Sequence, residues 1–208
     1  MNIRQKDLLK RLNVKYDEKI LDWGCGPGNE IDGFKQIGFV NCSGLEVDPQ
    51  FARLDITIDE DTIGFLEKNP ETFDVIFARE SVYYIRKEDQ PRLWLAFNSA
   101  LKPNGKLIVI TFNGILPTAY FILQKDLGIQ MVFNEYTLLS LASKAGFVNL
   151  EILGIKPSSR TPIGWIVTNL FLIYRKITIT FRYFTERGFE RFRPSLFTKN
   201  IVLLAFKQ

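Results

Sequence analysis

The segment Ile20-Leu21-Asp22-Trp23-Gly24-Cys25-Gly26-Pro27-Gly28 constrains this chain more than any other. A short apolar run ends on an acid and enters a turn with glycine at every second position. Glycine has no Cβ, so such a turn can take left-handed dihedrals and bring its backbone against a ligand. Asn29 stands where the phosphate-binding pattern G-x-G-x-x-G takes its last glycine. An acid beside the loop suits a ligand with an ammonium group better than one led by phosphates. An ordinary strand-to-helix turn would need no ligand, so the rest of the chain decides.

Residues 40–45 read as a second strand, with Glu46 at its end. An acid there, about twenty residues past a glycine loop, can accept hydrogen bonds from a ribose diol. Asp48 is its rival, although Pro49 behind it marks the start of a helical turn. Ile56-Thr57-Ile58 reads as a third strand, followed by the acids Asp59, Glu60 and Asp61 and the helical run Thr62-Ile63-Gly64-Phe65-Leu66. Residues 73–78 form the clearest strand, an apolar run bounded by polar residues. Leu101-Lys102-Pro103-Asn104-Gly105 is a turn before a fifth strand, and Asn104 tolerates positive φ there.

In order and spacing this series resembles the class I S-adenosylmethionine-dependent methyltransferases over residues 17–112, about half the chain. The resemblance implies a Rossmann-like α/β fold: a seven-stranded sheet, mostly parallel with its last strand antiparallel, and helices on both faces. It implies S-adenosylmethionine as cofactor, with Asp22, Gly24, Cys25, Gly26 and Gly28 around it and Glu46 on its ribose. Asp61 with Thr62 would read the adenine edge, with Asp59 or Asp55 as alternatives, and Ala78 and Arg79 would close the site from the fourth strand. Glu80, Tyr83 and Tyr84 follow, near where family members hold the methyl group. Tyr84 takes the place of a histidine common in small-molecule members, so it is the first candidate to touch the acceptor. Plain packing of the tyrosine pair is the alternative.

The chain has 208 residues and no composition break, which predicts one domain over 1–208. Histidine is absent, which removes the usual general base, His-based metal sites and Ser-His or Cys-His nucleophiles. Two cysteines without disulfide-like spacing and a polar start predict a reducing, cytoplasmic setting and no metal site. From residue 156 onward ten Lys/Arg face two acids, a local net of +8, whereas the first 155 residues carry −4. Such asymmetry points to an anionic partner at one end of the molecule.

Residues 135–145 read as a helix ending at Gly146, Phe147–Ile155 as the sixth strand and Asn200–Lys207 as the seventh, antiparallel one. Two stretches, 113–134 and 157–198, exceed what this topology needs and are expected to be lid-like insertions. In the second, Ile163, Ile166, Leu170, Ile173, Ile177, Phe181 and Phe184 recur at helical spacing, although residues 177–183 also alternate as a strand would. This stripe either packs on the sheet or forms a lid over the acceptor.

The tyrosine-bearing segment after the fourth strand and the basic, aromatic insertion loosely resemble bacterial methyltransferases of surface-polysaccharide synthesis. A small-molecule or lipid-linked glycan acceptor is therefore expected, with peripheral contact at the inner face of an anionic membrane. An RNA methyltransferase gripping phosphates with its basic segment is the alternative, against which stands the lack of an Asn/Asp-Pro-Pro-Tyr/Phe motif. A non-catalytic protein on the same fold is the third reading.

Overall fold

The computed structural model describes residues 3–155, 161–187 and 195–208. Strands β1 (Ile20–Trp23), β2 (Cys42–Glu46), β3 (Ile56–Ile58), β4 (Phe73–Arg79), β5 (Leu101–Phe112), β6 (Phe147–Ile155) and β7 (Asn200–Lys207) form one sheet. Its order is β3-β2-β1-β4-β5-β7-β6, with β7 antiparallel to both neighbours and the other pairs parallel. Helices are α1 (Ile3–Arg11), α2 (Asn29–Gln36), α3 (Thr62–Glu67), α4 (Gln90–Ala100), α5 (Pro117–Lys125), α6 (Glu135–Lys144) and α7 (Pro162–Arg187). The expected seven-stranded sheet is present.

The strands divide their side chains between two cores at period two. On β7, Ile201, Leu203 and Ala205 enter one core while Val202 and Leu204 enter the other. On β5, Leu107 and Val109 alternate in the same way with Ile108 and Ile110. Burial on both faces explains why these strands read as continuous apolar runs. The first core takes Ile63 and Leu66 of α3, Trp94 and Phe97 of α4, and Leu138 of α6. The second takes Leu8 and Leu9 of α1 with Ile31 and Phe34 of α2. Full burial of side chains such as Phe34 and Phe97 contributes about 1.5–3 kcal/mol each.

Local chemistry sets the element ends. The side chain of Asp61 caps α3 by accepting from the Gly64 amide at 2.8 Å. Asn134 and Thr137 form a reciprocal capping box on α6, which ends at Ala145 before Gly146 with φ 86°. Residues 101–105 sit within β5 as a bulge: Leu101 pairs with Phe73, and pairing resumes at Lys106 with Val75. Asn104 there has φ 63°, as expected for asparagine in a left-handed position. The second strand starts two residues later than expected, because Val40 is exposed and outside the ladder.

β1 lies between β2 and β4, so the chain leaves it in opposite directions on its two sides. Ligands of open α/β sheets bind at that reversal, beyond the carboxyl ends of the strands. The glycine loop leaves β1 at this point and leads directly into α2. A Cβ on Gly24, at φ 70°, would collide with Ser81, whereas one on Gly26, at φ 52°, meets nothing within 4 Å. Gly24→Ala should therefore lower unfolding free energy by at least about 2 kcal/mol, and Gly26→Ala by about 1–2 kcal/mol. Urea titrations of both variants check this; equal losses would contradict the packing at Ser81.

Candidate functional site

The loop is held from three sides. The amides of Gly24 and Cys25 both donate to the Leu45 carbonyl, at 2.8 and 3.2 Å, which draws the loop over the end of β2. The Ser81 hydroxyl donates to the Trp23 carbonyl at 2.9 Å. Arg53, on the β2–β3 connection, donates to the Pro27 carbonyl at 3.0 Å and reaches both oxygens of Asp32 on α2, at 3.0 and 2.6 Å. Gly24, Gly26 and Gly28 are all left-handed, with φ of 70°, 52° and 80°. Gly28 is the N-cap position of α2, and no side chain caps that helix, so its first amides face the loop region.

Glu46 is fixed by the backbone it would serve beside. One carboxylate oxygen accepts from the Gly26 amide at 2.7 Å, and the other accepts from the Val47 amide at 2.7 Å. The second oxygen also accepts from the Asp48 amide at 3.4 Å, so the oxygen held by Gly26 is the one that keeps acceptor capacity for a further donor. Asp48 instead caps the short helical turn Pro49–Phe51, accepting from the Gln50 amide at 3.0 Å. The structure thus ties Glu46, not Asp48, to the glycine loop.

Asp22, the penultimate residue of β1, has 2% of its surface exposed, and its Oδ2 has no hydrogen-bond partner among the described residues. Burial raises its carboxyl well above the usual range; Glu30 and Glu46 push the same way, and Arg79 opposes them. Arg79, at the end of β4, is ion-paired to Glu30 of α2. The other oxygen of Glu30 is likewise buried without a partner among the described residues. Three carboxylates around one guanidinium leave this pocket short of positive charge. Such a donor set fits a ligand that brings a cation, as the ammonium and sulfonium of S-adenosylmethionine would.

The remaining expected cofactor residues divide by what they present. The Cys25 thiol is turned inward against Gly44, and burial pushes its pKa up to about 12, so this residue offers its backbone. Ala78 is fully buried in the first core and can contribute only through backbone. Asp61 spends one oxygen on the α3 cap, Asp59 accepts from the Asp61 amide at 2.9 Å, and Thr62 is buried at the first position of α3. Asp55 is paired with Lys35 and Arg53, on the far side of the loop clamp.

Beyond β4, Glu80 has φ 53° and accepts from the Asn200 amide group at 3.0 Å. Tyr83 is buried, with its ring stacked on Phe112 at 4.8 Å between centroids. Tyr84 is half-exposed and its hydroxyl donates to Asp126 at 2.7 Å. Tyr83, Phe112, Lys125, Asp126 and Lys199 are among the residues that line a cleft of about 730 Å³. Burial raises the pKa of both tyrosines, so their phenols stay protonated near neutral pH. Sequence reasoning missed Arg53, Phe112, Asp126 and the two cleft lysines. Nothing in their local sequence marks them, because only the sheet order and the 113–134 excursion bring them to the site.

A family model described as a methyltransferase domain matches residues 4–152. The chain belongs to the methyltransferase-domain family. Its sheet is the class I, S-adenosylmethionine-dependent fold expected from the loop. Phosphoethanolamine N-methyltransferase 3 of Arabidopsis thaliana is 28% identical over 51% of this chain and 24% of that protein. A phosphoethanolamine N-methyltransferase 1 of Triticum aestivum is 26% identical over 50% of this chain and 22% of its own length. The chain thus spans about a quarter of the curated relatives it matches. A methyltransferase structure from Archaeoglobus fulgidus superposes with a TM-score of 0.69 at 15% identity, covering 98% of this chain and 93% of the other. Phosphoethanolamine N-methyltransferase 2 of Haemonchus contortus, in complex with phosphomonomethylethanolamine and S-adenosylhomocysteine, gives a TM-score of 0.62 at 17% identity over 99% of this chain and 53% of that one.

In this member of the methyltransferase-domain family an unpaired buried carboxyl is a liability without a ligand. A carboxyl with a raised folded-state pKa binds protons more tightly than the unfolded chain does, so stability falls as pH rises from the ordinary aspartate range, near 4, through the folded value. Asp22→Asn should therefore stabilise the ligand-free protein, by about 1–3 kcal/mol near neutral pH and by less near pH 4. Denaturation of both proteins across that range checks it; a constant or negative difference would contradict an unpaired Asp22.

Proposed function

We propose that this chain transfers the methyl group of S-adenosylmethionine to a small-molecule acceptor held in the cleft beside Tyr83. One observation carries this reading: Asp22 with its unpartnered oxygen, the left-handed glycine loop and the amide-held Glu46 converge at the reversal point of the sheet. Asp22 would meet the ligand's ammonium directly or through a water, and Glu46 would accept from the ribose diol. Asp61 or Asp59 with Thr62 would border the base. When bound, the cofactor supplies a methyl group already activated on a sulfonium.

The chain's own task is then to hold the acceptor in line and exclude water, and good alignment can supply about 7–11 kcal/mol. An acceptor with an amine near a phosphate suits the cleft, as the names of the relatives suggest. Lys125 and Lys199 can take the phosphate, while the Tyr83 and Phe112 rings and Asp126 favour the amine. With no histidine in the chain and both phenols protonated, Asp126 or water would take the amine proton. Tyr83 and Tyr84 position rather than deprotonate. Glu80, held by Asn200, would fix the floor of the site. The same headgroup chemistry exists free or on a lipid carrier, which keeps a lipid-linked acceptor within this reading. The segment 113–134, which supplies cleft-wall residues from Ile122 to Ile129, would act as its lid on a single catalytic domain, whereas the expected second insertion, 157–198, lies partly outside the described residues.

Calorimetry should show binding of S-adenosylmethionine and S-adenosylhomocysteine. Glu46→Ala should weaken it by about 1.5–3 kcal/mol, and Asp48→Ala by less. No heat with folded protein would overturn the catalytic reading, and equal losses would mean the wrong acid.

Methyl transfer should then be assayed on free phosphoethanolamine and on vesicles bearing ethanolamine headgroups. Lys125→Ala and Lys199→Ala should each raise KM about tenfold or more with little change in kcat. Activity on neither acceptor, or unchanged KM, would remove the phosphorylated-amine assignment and leave the cofactor result standing.

A further inference from the structure

An ordinary surface helix turns its apolar stripe inward and its polar face to solvent. α7 departs from this by exposing most of its apolar residues. Ile163, Ile166, Val167, Leu170, Ile173, Tyr174, Ile177 and Phe181 fall on one face of this helix, and every one is at least half exposed. The residues turned toward the body are mixed: Thr168, Asn169, Arg175, Thr178 and Thr180 are half-buried, and so are Leu172, Ile179, Tyr183 and Phe184. α7 meets α5 through this side, where Pro117 and Thr118 face Arg175, Thr178 and Arg182 across a small groove. α5 also exposes Tyr120 and Phe121. Of the two readings of the stripe, packing on the sheet is not met for its residues from Ile163 to Phe181, while Phe184 is half-buried.

We propose that this outward face of α7 docks on a lipid bilayer surface rich in anionic headgroups. The helix has 26 residues, about 39 Å of rod, and no helix among the described residues is long and apolar enough to cross a membrane. It would lie in the plane of the interface, with its aliphatic stripe below the headgroups. Residues 161–185 contain Arg175, Lys176 and Arg182 and no acid. None of these bases interrupts the stripe on the helical wheel; Lys176 and Arg182 are exposed on either side of it, with stems that can reach along apolar surface to anionic headgroups, while Arg175 is half-buried over the Phe171 ring. Charge selects this occupant over two others. A second copy meeting stripe to stripe would bring like charges together. A nucleic acid would use the bases but leave eight apolar side chains uncovered.

The test is co-sedimentation of the full chain with vesicles of phosphatidylcholine alone and of phosphatidylcholine mixed with phosphatidylglycerol. Neither lipid carries an amine acceptor, so the result is independent of the catalytic reading. Low-salt retention is expected on the anionic vesicles only, with release at 1 M salt, where the screening length is about 3 Å. Leu170→Glu with Ile177→Glu should abolish retention, and Lys176→Gln with Arg182→Gln should weaken partitioning about thirtyfold. Both variants alter exposed or half-exposed side chains and should keep the wild-type melting temperature and cofactor affinity. The proposal is overturned by absent retention, equal retention on neutral vesicles or indifference to the α7 variants. Concentration-dependent self-association lost in Leu170→Glu/Ile177→Glu, or RNA binding without vesicle binding, would overturn it equally.

Discussion

A carboxylate near the end of β1, buried and without a partner for one of its oxygens, is the constraint around which this molecule is arranged. Burying such a group is unfavourable unless something positive meets it. Arg79, the nearby cation, is already committed to Glu30, and Glu46 adds further negative charge. The loop beside Asp22 cannot relax to neutralise it, because Leu45, Ser81 and Arg53 hold its backbone in left-handed turns. The protein thus holds a rigid, electron-rich hollow at the reversal point of its sheet. That hollow is complementary to a compact cationic ligand before any ligand arrives, which lowers the ordering cost of binding.

Much of this was legible in the chain because the signals are local. The strand ending at Trp23, the glycine spacing, Glu46 past β2 and the apolar runs of β4, β5 and β7 all follow from short-range chemistry. What escaped depends on which elements become neighbours. Arg53 reads as an ordinary loop arginine, yet it ties Pro27 and Asp32 together across a sequence gap of more than twenty residues. Phe112 and Lys199 meet at the cleft only because β7 inserts antiparallel between β5 and β6. The two tyrosines show the same limit. Sequence position favoured Tyr84, but stacking on Phe112 puts Tyr83 in the cleft wall while Tyr84 reaches out to Asp126.

The two halves of the molecule solve different problems. The sheet and its flanking helices bury most of their apolar residues, and buried polar residues such as Gln90, Asn113 and Glu135 are hydrogen-bonded within the body. α7 spends most of its apolar residues on the outside, which no demand of the core explains. α5 connects these worlds, since Ile122 and Lys125 face the cleft while Pro117 and Thr118 face α7. A surface-docked α7 would bring the cleft near whatever carries the acceptor. That arrangement would concentrate the acceptor without asking the small cleft to bind it tightly.

Site-resolved carboxyl NMR of Asp22, assigned with Asp22→Asn, addresses the account most directly. Without ligand, the carboxyl should titrate above the usual aspartate range; on saturation with S-adenosylmethionine its pKa should fall, as a cation meets the buried oxygen. A normal value in the ligand-free protein, or one that S-adenosylmethionine leaves unmoved, would contradict the claim that this acid organises the site.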